Sequence, residues 1–288
     1  MPQAIRPRRS VLYMPGSNAR AMEKARTLPA DALILDLEDA VAPDAKDIAR
    51  RQVSEAVKAR GFGKREIVIR INALSTAWGA DDLASAADAG PDAILVPKVS
   101  HARDLADIEA RLGNARVALW AMVETPLAIL KIGEIAGAGG RLACFVMGTN
   151  DLVKEFRGAH TPDRVNLSAA LGLSVAAARA FGLSAIDGVY NDINDSDGFY
   201  SICRQGRAFG FDGKTLIHPS QVDACNQVFA PSVEEIESAR KIIAAFEKPE
   251  NKGKGAISLD GRMVELLHAE IARNTVALAD AIAVLEAS

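Results

Sequence analysis

Residues 117–126 read VALWAMVETP. Seven apolar residues run unbroken from Val117 to Val123, and a carboxylate follows at Glu124. A run with no polar face reads as a strand covered on both sides, the habit of parallel sheets layered with helices. Thr125 and Pro126 suit the N-cap and first position of a following helix. Glu124 is therefore the last strand residue, an acid held at the end of an apolar strand.

The same pattern recurs along the chain. Candidate strands lie at 10–15, 32–38, 66–72, 93–99, 117–124, 143–148, 184–190 and 214–219. Helix-like stretches fall between them at 18–29, 45–60, 80–89, 101–112, 126–137, 166–181 and 193–210. Strands alternating with helices over this length point to an α/β protein, a closed (β/α)8 TIM barrel. An open doubly wound sheet is the alternative. Its weakness is the first turn, PGSNAR (15–20), which lacks the glycine-rich dinucleotide fingerprint.

The barrel is expected over 1–231, with a C-terminal helical extension over 232–288. Ser232 and Glu235 have the spacing of a capping box at the head of a helix over 232–247. The stretch 248–261, rich in Gly, Lys and Asn, reads as a hinge loop. A last helix is expected from about 262 to 286, with an apolar stripe through Val264, Leu267, Ile271, Leu278, Ile282 and Leu285.

Bulk properties exclude several classes. A net charge of −3 gives no electrostatic attraction to nucleic acid or to an anionic membrane. No stretch approaches the length of an apolar membrane span, and the N-terminus has no signal-peptide core. Three widely spaced cysteines, Cys144, Cys203 and Cys225, form neither a disulfide framework nor a zinc motif. The expectation is a cytoplasmic protein.

Polar residues collect at the C-terminal ends of the strands: Asp36, Glu38, Asp39, Arg70, Asn72, Lys98, Glu124, Asp187 and His218, with Asp151 in GTNDL (148–152) just after the sixth. In a (β/α)8 barrel these ends form the active-site face. Glu124 and Asp151 end adjacent strands and would repel one another unless a cation lay between them. With no histidine or cysteine beside them, two carboxylates plus water and substrate suit Mg²⁺, or Mn²⁺, rather than zinc. The alternatives are a helix-start acid at 124 and a helix cap at 150 or 151. Arg70 interrupts an apolar strand and must be paired. It is either a structural partner of Asp36 or Glu38, or a fork for a substrate carboxylate, and a neighbouring acid could orient that fork. Of the three acids Asp36, Glu38 and Asp39, one is expected as a buried partner of Arg70 or of the cation's waters. His218, before a proline, reads as a structural residue; Lys98 and Asp187 are weaker candidates.

The motifs RRSVLYMPG, ILDLEDAV, KDIAR, RIN, PKV, ETP, GTNDL, FDGKTLIHPSQV and GRMV occur in this order. Together they resemble the citrate lyase β-subunit-like family of the HpcH/HpaI aldolase superfamily, over nearly the whole chain. The resemblance implies a TIM barrel assembled as a homotrimer or homohexamer. It implies Mg²⁺ on Glu124 and Asp151, and Arg70 on the carboxylate of a 2-oxo acid. The activity implied is carbon–carbon cleavage of a short 3-carboxy-3-hydroxyacyl-CoA, of malyl-CoA or citramalyl-CoA type, to a 2-oxo acid and acetyl-CoA, or the reverse. Other readings are a citrate lyase β subunit acting on a citryl thioester, a class II aldolase on free hydroxy-oxo acids, and a non-catalytic binding partner. The family carries an aspartate acid/base in a G-x-M-[IV]-D element that reaches an adjacent subunit. Here the element reads GRMVE and Glu265 takes its place, one methylene longer. As a plain helix-start acid it would have no role.

Overall fold

The computed structural model describes residues 5–287. The first four residues, which open the basic N-terminal stretch and the 1–231 unit, and Ser288 lie outside the described residues. The chain forms two compact units, Arg8–Phe229 and residues 230–287 with the leading 5–7.

In the larger unit, among the described residues, eight parallel strands close into a barrel. They are β1 (Ser10–Pro15), β2 (Ala32–Asp36), β3 (Glu66–Arg70), β4 (Ala93–Val96), β5 (Ala118–Val123), β6 (Leu142–Met147), β7 (Ser184–Asp187) and β8 (Gly213–Leu216). β1 pairs with β8 and shuts the ring. The helices are α1 (Ala19–Ala25), α2 (Lys46–Ala59), α3 (Gly79–Ala89), α4 (Ala102–Leu112), α5 (Pro126–Leu130), α6 (Ile132–Ala136), α7 (Thr149–Glu155), α8 (Ser168–Ala180), α9 (Ser196–Phe209) and α10 (Val222–Phe229). The TIM barrel expected from the apolar runs is the fold observed.

Strand alternation divides the core in two. Val11, Ile34, Val68, Leu95, Trp120 and Val146 belong to an inner cluster that fills the barrel. Leu12, Leu33, Leu35, Ile69 and Leu119 face the helices in the larger outer cluster. At the N-terminal end of the strands, Arg8 pairs with Glu66 and Arg9 with Asp31, and the Arg8 guanidinium stands 5.0 Å over Trp120. In this architecture that end serves stability, and the C-terminal end carries chemistry.

Several strands stop short of their expected ends, because their last polar residues leave the ladder for loops. The stretch 126–137 is two short helices, α5 and α6, broken at Lys131. Two helices, α7 and α10, lie outside the expected helical stretches. The three cysteines are free and buried. No helix among the described residues is long and apolar enough to cross a membrane.

The smaller unit contains α11 (Val233–Glu247), β9 (Ala256–Leu259), β10 (Arg262–Glu265) and α12 (Leu266–Glu286). Ser232 caps α11 in the expected reciprocal manner: its Oγ accepts from Glu235 N at 3.1 Å, and Glu235 Oε2 accepts from Ser232 N at 2.7 Å. The expected loop and helix start at 248–265 are corrected. Residues 256–265 are an antiparallel hairpin, turned by Asp260 (φ 51°) and Gly261 (φ 76°). An Asp-Gly pair with two positive φ angles is the turn that matches strand twist in a two-residue hairpin loop. Ile257 and Val264 pack with Ala245 in a small apolar cluster that holds the hairpin to α11.

Candidate active site at the barrel mouth

The inward pattern of the strands carries on into polar residues at their C-terminal ends. Two positions after Ile34 stands Asp36; two after Val68 stands Arg70; two after Met122 stands Glu124. Successive alternate residues face one way, so all three turn toward the barrel axis where the apolar filling ends. Tyr13 occupies the matching place on β1 and packs on the inner cluster.

Arg70 is buried and fully engaged on one edge. Its Nε and Nη2 donate to Asp36 Oδ1 and Oδ2, each at 2.6 Å. Nη1 lies 2.7 Å from Glu38 Oε2, and the guanidinium sits 4.8 Å over the Tyr13 ring. A guanidinium has five N–H donors, so Nη1 and Nη2 each keep one. Both expected partners, Asp36 and Glu38, are found, and the two are buried. Asp39 is exposed and 3.8 Å from Nη1. The expectation of one buried acid is thus corrected to two, because the chain turns back over Arg70 after β2. Asp36 fixes that turn by accepting from Glu38 N and Ala40 N at 2.9 and 3.0 Å.

The charges at the mouth act on one another. Burial pushes the Glu38 carboxyl up to about 7; Arg70 pulls it down, while Asp39, Glu124 and Asp36 push it up. Arg70 is held well above its ordinary value: burial opposes its charge, and Asp36 and Glu38 outweigh it. Glu124, 1% exposed, is raised by burial, against the pull of Lys98.

β5 ends at Val123, so Glu124, expected as the last strand residue, stands one residue past it, between β5 and the cap of α5. Thr125 caps α5 by accepting from Ala128 N at 3.0 Å, with Pro126 next. Glu124 Oε1 accepts from the Lys98 backbone N–H at 2.7 Å, while Oε2 is buried without a hydrogen-bond partner. Gly148, at the end of β6, makes room for this carboxylate. A Cβ there would lie 2.4 Å from Glu124 Cβ and 2.6 Å from Oε2.

Asp151 lies in the first turn of α7, whose N-cap position is Gly148 with no side-chain cap. Neither Asn150 nor Asp151 caps the helix, and Asn150 instead bonds Asn191. Asp151 Oδ1 is 3.1 Å from Lys98 Nζ, which is also 3.6 Å from Glu124 Oε1. The structure therefore brings Glu124 and Asp151 together around one cation, the ammonium of Lys98. Burial works against that ammonium, but Glu124 and Asp151 raise it overall.

The residues fit a bound Mg²⁺. Glu124 Oε2 is a buried acceptor lacking a partner, and the donor set is oxygen only. Among the described residues no group of three or more His, Cys, Asp or Glu is disposed to hold a metal. Two protein carboxylates suit Mg²⁺, which keeps several waters and binds through one or two carboxylates plus substrate.

Of the weaker candidates, Lys98 stands between the two acids, while Asp187 and His218 are engaged with other partners. Asp187 is buried between Arg164, at 2.7 Å, and Lys214, at 3.1 Å, which together hold its carboxyl low against burial. His218 Nδ1 meets Ser220 Oγ at 2.7 Å at the head of a short turn. Asn72 bonds Leu37 O and Asp82. Glu265 lies in the smaller unit, at the end of β10, where its backbone N–H donates to His268 Nδ1 at 3.0 Å. It precedes α12 rather than standing in its first turn, a further correction.

Sequence reading missed two groups. Tyr13, in RRSVLYMPG, reads as part of an apolar strand. Lys46, in KDIAR, reads as a helix residue, yet its Nζ donates to Leu37 O, Glu38 O and Asn72 Oδ1, each at 2.8 Å. The polar tip of Tyr13 in an otherwise apolar strand was the available signal; nothing local marks Lys46.

Residues 9–219 match the family described as HpcH/HpaI aldolase/citrate lyase. The chain is 51% identical over all 288 residues, and over the full length of the relative, to (3S)-malyl-CoA thioesterase of Cereibacter sphaeroides. It is 38% identical over 269 residues to citrate lyase subunit beta of Escherichia coli, covering 90% of this chain and 89% of that one. Among solved structures it resembles the CitE protein of Mycobacterium tuberculosis in complex with magnesium, acetoacetate and coenzyme A. The TM-score is 0.77 and the identity 30%, covering 94% and 97% of the two chains. A TIM barrel with acids and an arginine at its mouth, these relatives and the family match lead to one conclusion: this chain belongs to the HpcH/HpaI aldolase/citrate lyase family of enzymes.

Proposed function

We propose that the enzyme acts on a short CoA thioester of a 3-carboxy-3-hydroxy acid, malyl-CoA or its citramalyl homologue. The observation that carries this is the mouth itself: a buried guanidinium held on one edge by Asp36, and a buried carboxylate, Glu124, with an unpaired oxygen. Arg70, its plane fixed by Asp36 and Tyr13, binds the substrate carboxylate through the N–H groups left on Nη1 and Nη2. Glu124 and Asp151 hold Mg²⁺ (or Mn²⁺), which supplies a Lewis acid for the adjacent hydroxyl and carboxylate oxygens. Burial raises the Glu38 carboxyl to about 7, so it can exchange a proton near neutral pH. Glu265 is proposed as the further acid/base group, and assembly as a homotrimer or homohexamer belongs to the same reading.

Two bonds of such a substrate are candidates. Hydrolysis of the thioester, giving the hydroxy-diacid and free CoA, is the reading adopted, because the likeness to the (3S)-malyl-CoA thioesterase runs from end to end at 51% identity. The second reading is cleavage of the carbon–carbon bond next to the hydroxyl, giving a 2-oxo acid and acetyl-CoA. It is favoured by the placement of Arg70, Glu124 and Asp151, which grip the hydroxy-acid end.

The test is incubation with (3S)-malyl-CoA and Mg²⁺, reading free thiol and 2-oxo acid separately. Free CoA without 2-oxo acid supports hydrolysis. A 2-oxo acid with acetyl-CoA supports carbon–carbon cleavage. No turnover of any thioester, with turnover of free hydroxy-oxo acids, sinks both.

A further inference from the structure

Lys98 reaches the two acids in an unusual way. It follows Pro97 and adopts φ 57°, a left-handed conformation uncommon for a residue with a side chain. The same residue gives its backbone N–H to Glu124 Oε1 and places Nζ between Glu124 and Asp151. A divalent cation bound to both carboxylates must contend with that ammonium, since two positive charges a few ångströms apart repel. The two binding modes differ in strength. The Lys98 side chain is 41% exposed, and ion pairs reaching water contribute little. Its backbone bond to Glu124 survives whatever the ammonium does.

We propose that Lys98 is an intramolecular competitor for the divalent cation: its ammonium holds Glu124 and Asp151 together until the cation arrives, then swings out to water while its backbone still orients Glu124. The inference rests on the reading of Glu124 and Asp151 as the cation site. Removing the ammonium therefore tightens cation binding, although it also removes a group that contacts both acids. A merely structural Lys98 would give the opposite sign.

Calorimetric titration of Mg²⁺ into the metal-stripped wild type, Lys98→Met and Glu124→Gln tests this. Lys98→Met is expected to bind Mg²⁺ about three- to tenfold more tightly than wild type, the size set by loss of partly exposed ion pairs. In wild-type protein, acetylation of Lys98 mapped by mass spectrometry is expected to speed up on adding Mg²⁺, with distant lysines such as Lys241 unchanged. This second readout decides the matter if Lys98→Met does not fold. Equal or weaker Mg²⁺ binding by a folded Lys98→Met, or a Lys98 acetylation rate indifferent to Mg²⁺, overturns the proposal. Wild-type Mg²⁺ affinity in Glu124→Gln would instead overturn the placement of the cation.

Discussion

Arg70 and Asp36 meet edge to edge on neighbouring strands, with two hydrogen bonds of 2.6 Å each. β2 and β3 pair in register so that these two residues are Cα partners. A carboxylate directly beside a guanidinium on the inner face fixes the plane of the fork before any substrate arrives, which is the preorganisation that two-point recognition needs.

Removing Asp36 should therefore cost both stability and binding. Asp36→Ala leaves the Arg70 charge buried beside Glu38 alone, and breaking such a buried pair costs about 3–5 kcal/mol. Urea unfolding measures the loss. A change below about 1 kcal/mol, the range of exposed pairs, would mean the pair is not buried in solution.

The cation site depends on space as well as on charge. Glu124→Gln is expected to lower Mg²⁺ affinity by at least about 100-fold, more than the loss of a partner one step removed from a metal. Gly148→Ala keeps both acids but drives a Cβ into Glu124, so it too should weaken binding. Calorimetry on both variants, with circular dichroism to show an intact fold, checks this. Normal affinity in Gly148→Ala would show that the Glu124 carboxylate need not lie against residue 148.

Glu38 sets a pH dependence whose sign can be worked out. Its carboxyl is raised by burial to about 7 from an ordinary 4.5. The folded state therefore binds more protons than the unfolded state between those values, and stability falls as pH rises through this window. The Glu38 penalty is absent below the window and fully present above it. Metal-free Glu38→Gln should lose less stability than wild type between pH 4.5 and 7, measured by denaturant midpoints. Parallel curves for the two proteins would contradict the raised carboxyl.

Glu265→Gln removes proton transfer while keeping size and polarity. If Glu265 is the acid/base group, kcat falls by about 100-fold or more with KM nearly unchanged. Unchanged kcat returns Glu265 to the role of a residue before α12. Glu265→Asp adds a second reading. A gain in 2-oxo acid over free CoA would show that the extra methylene steers the choice of bond.

Much of this was legible in the chain. Strands apolar on both faces report helix layers, because burial on both sides leaves no place for polar residues. Thr125 and Pro126 mark the start of α5 locally, which placed Glu124 to within one residue of the end of β5. The Asp260–Gly261 turn was equally legible as a hairpin signal, but the lysines and glycines around it read as a loop. Lys46 and Tyr13 were not legible, because a lysine on a helix and a tyrosine in a strand acquire their meaning only from what the closed barrel brings against them.

By itself the sequence determined the period of the strands, the barrel they build and the acids and arginine at their ends, since alternation and capping are set by residues a few positions apart. Only the tertiary structure decided how those ends pair. It bound Arg70 to Asp36 and Glu38, tied Asp187 to Lys214 and Arg164, and set the Lys98 ammonium between Glu124 and Asp151. Those choices depend on strand register and ring closure, which bring residues tens of positions apart within hydrogen-bonding distance.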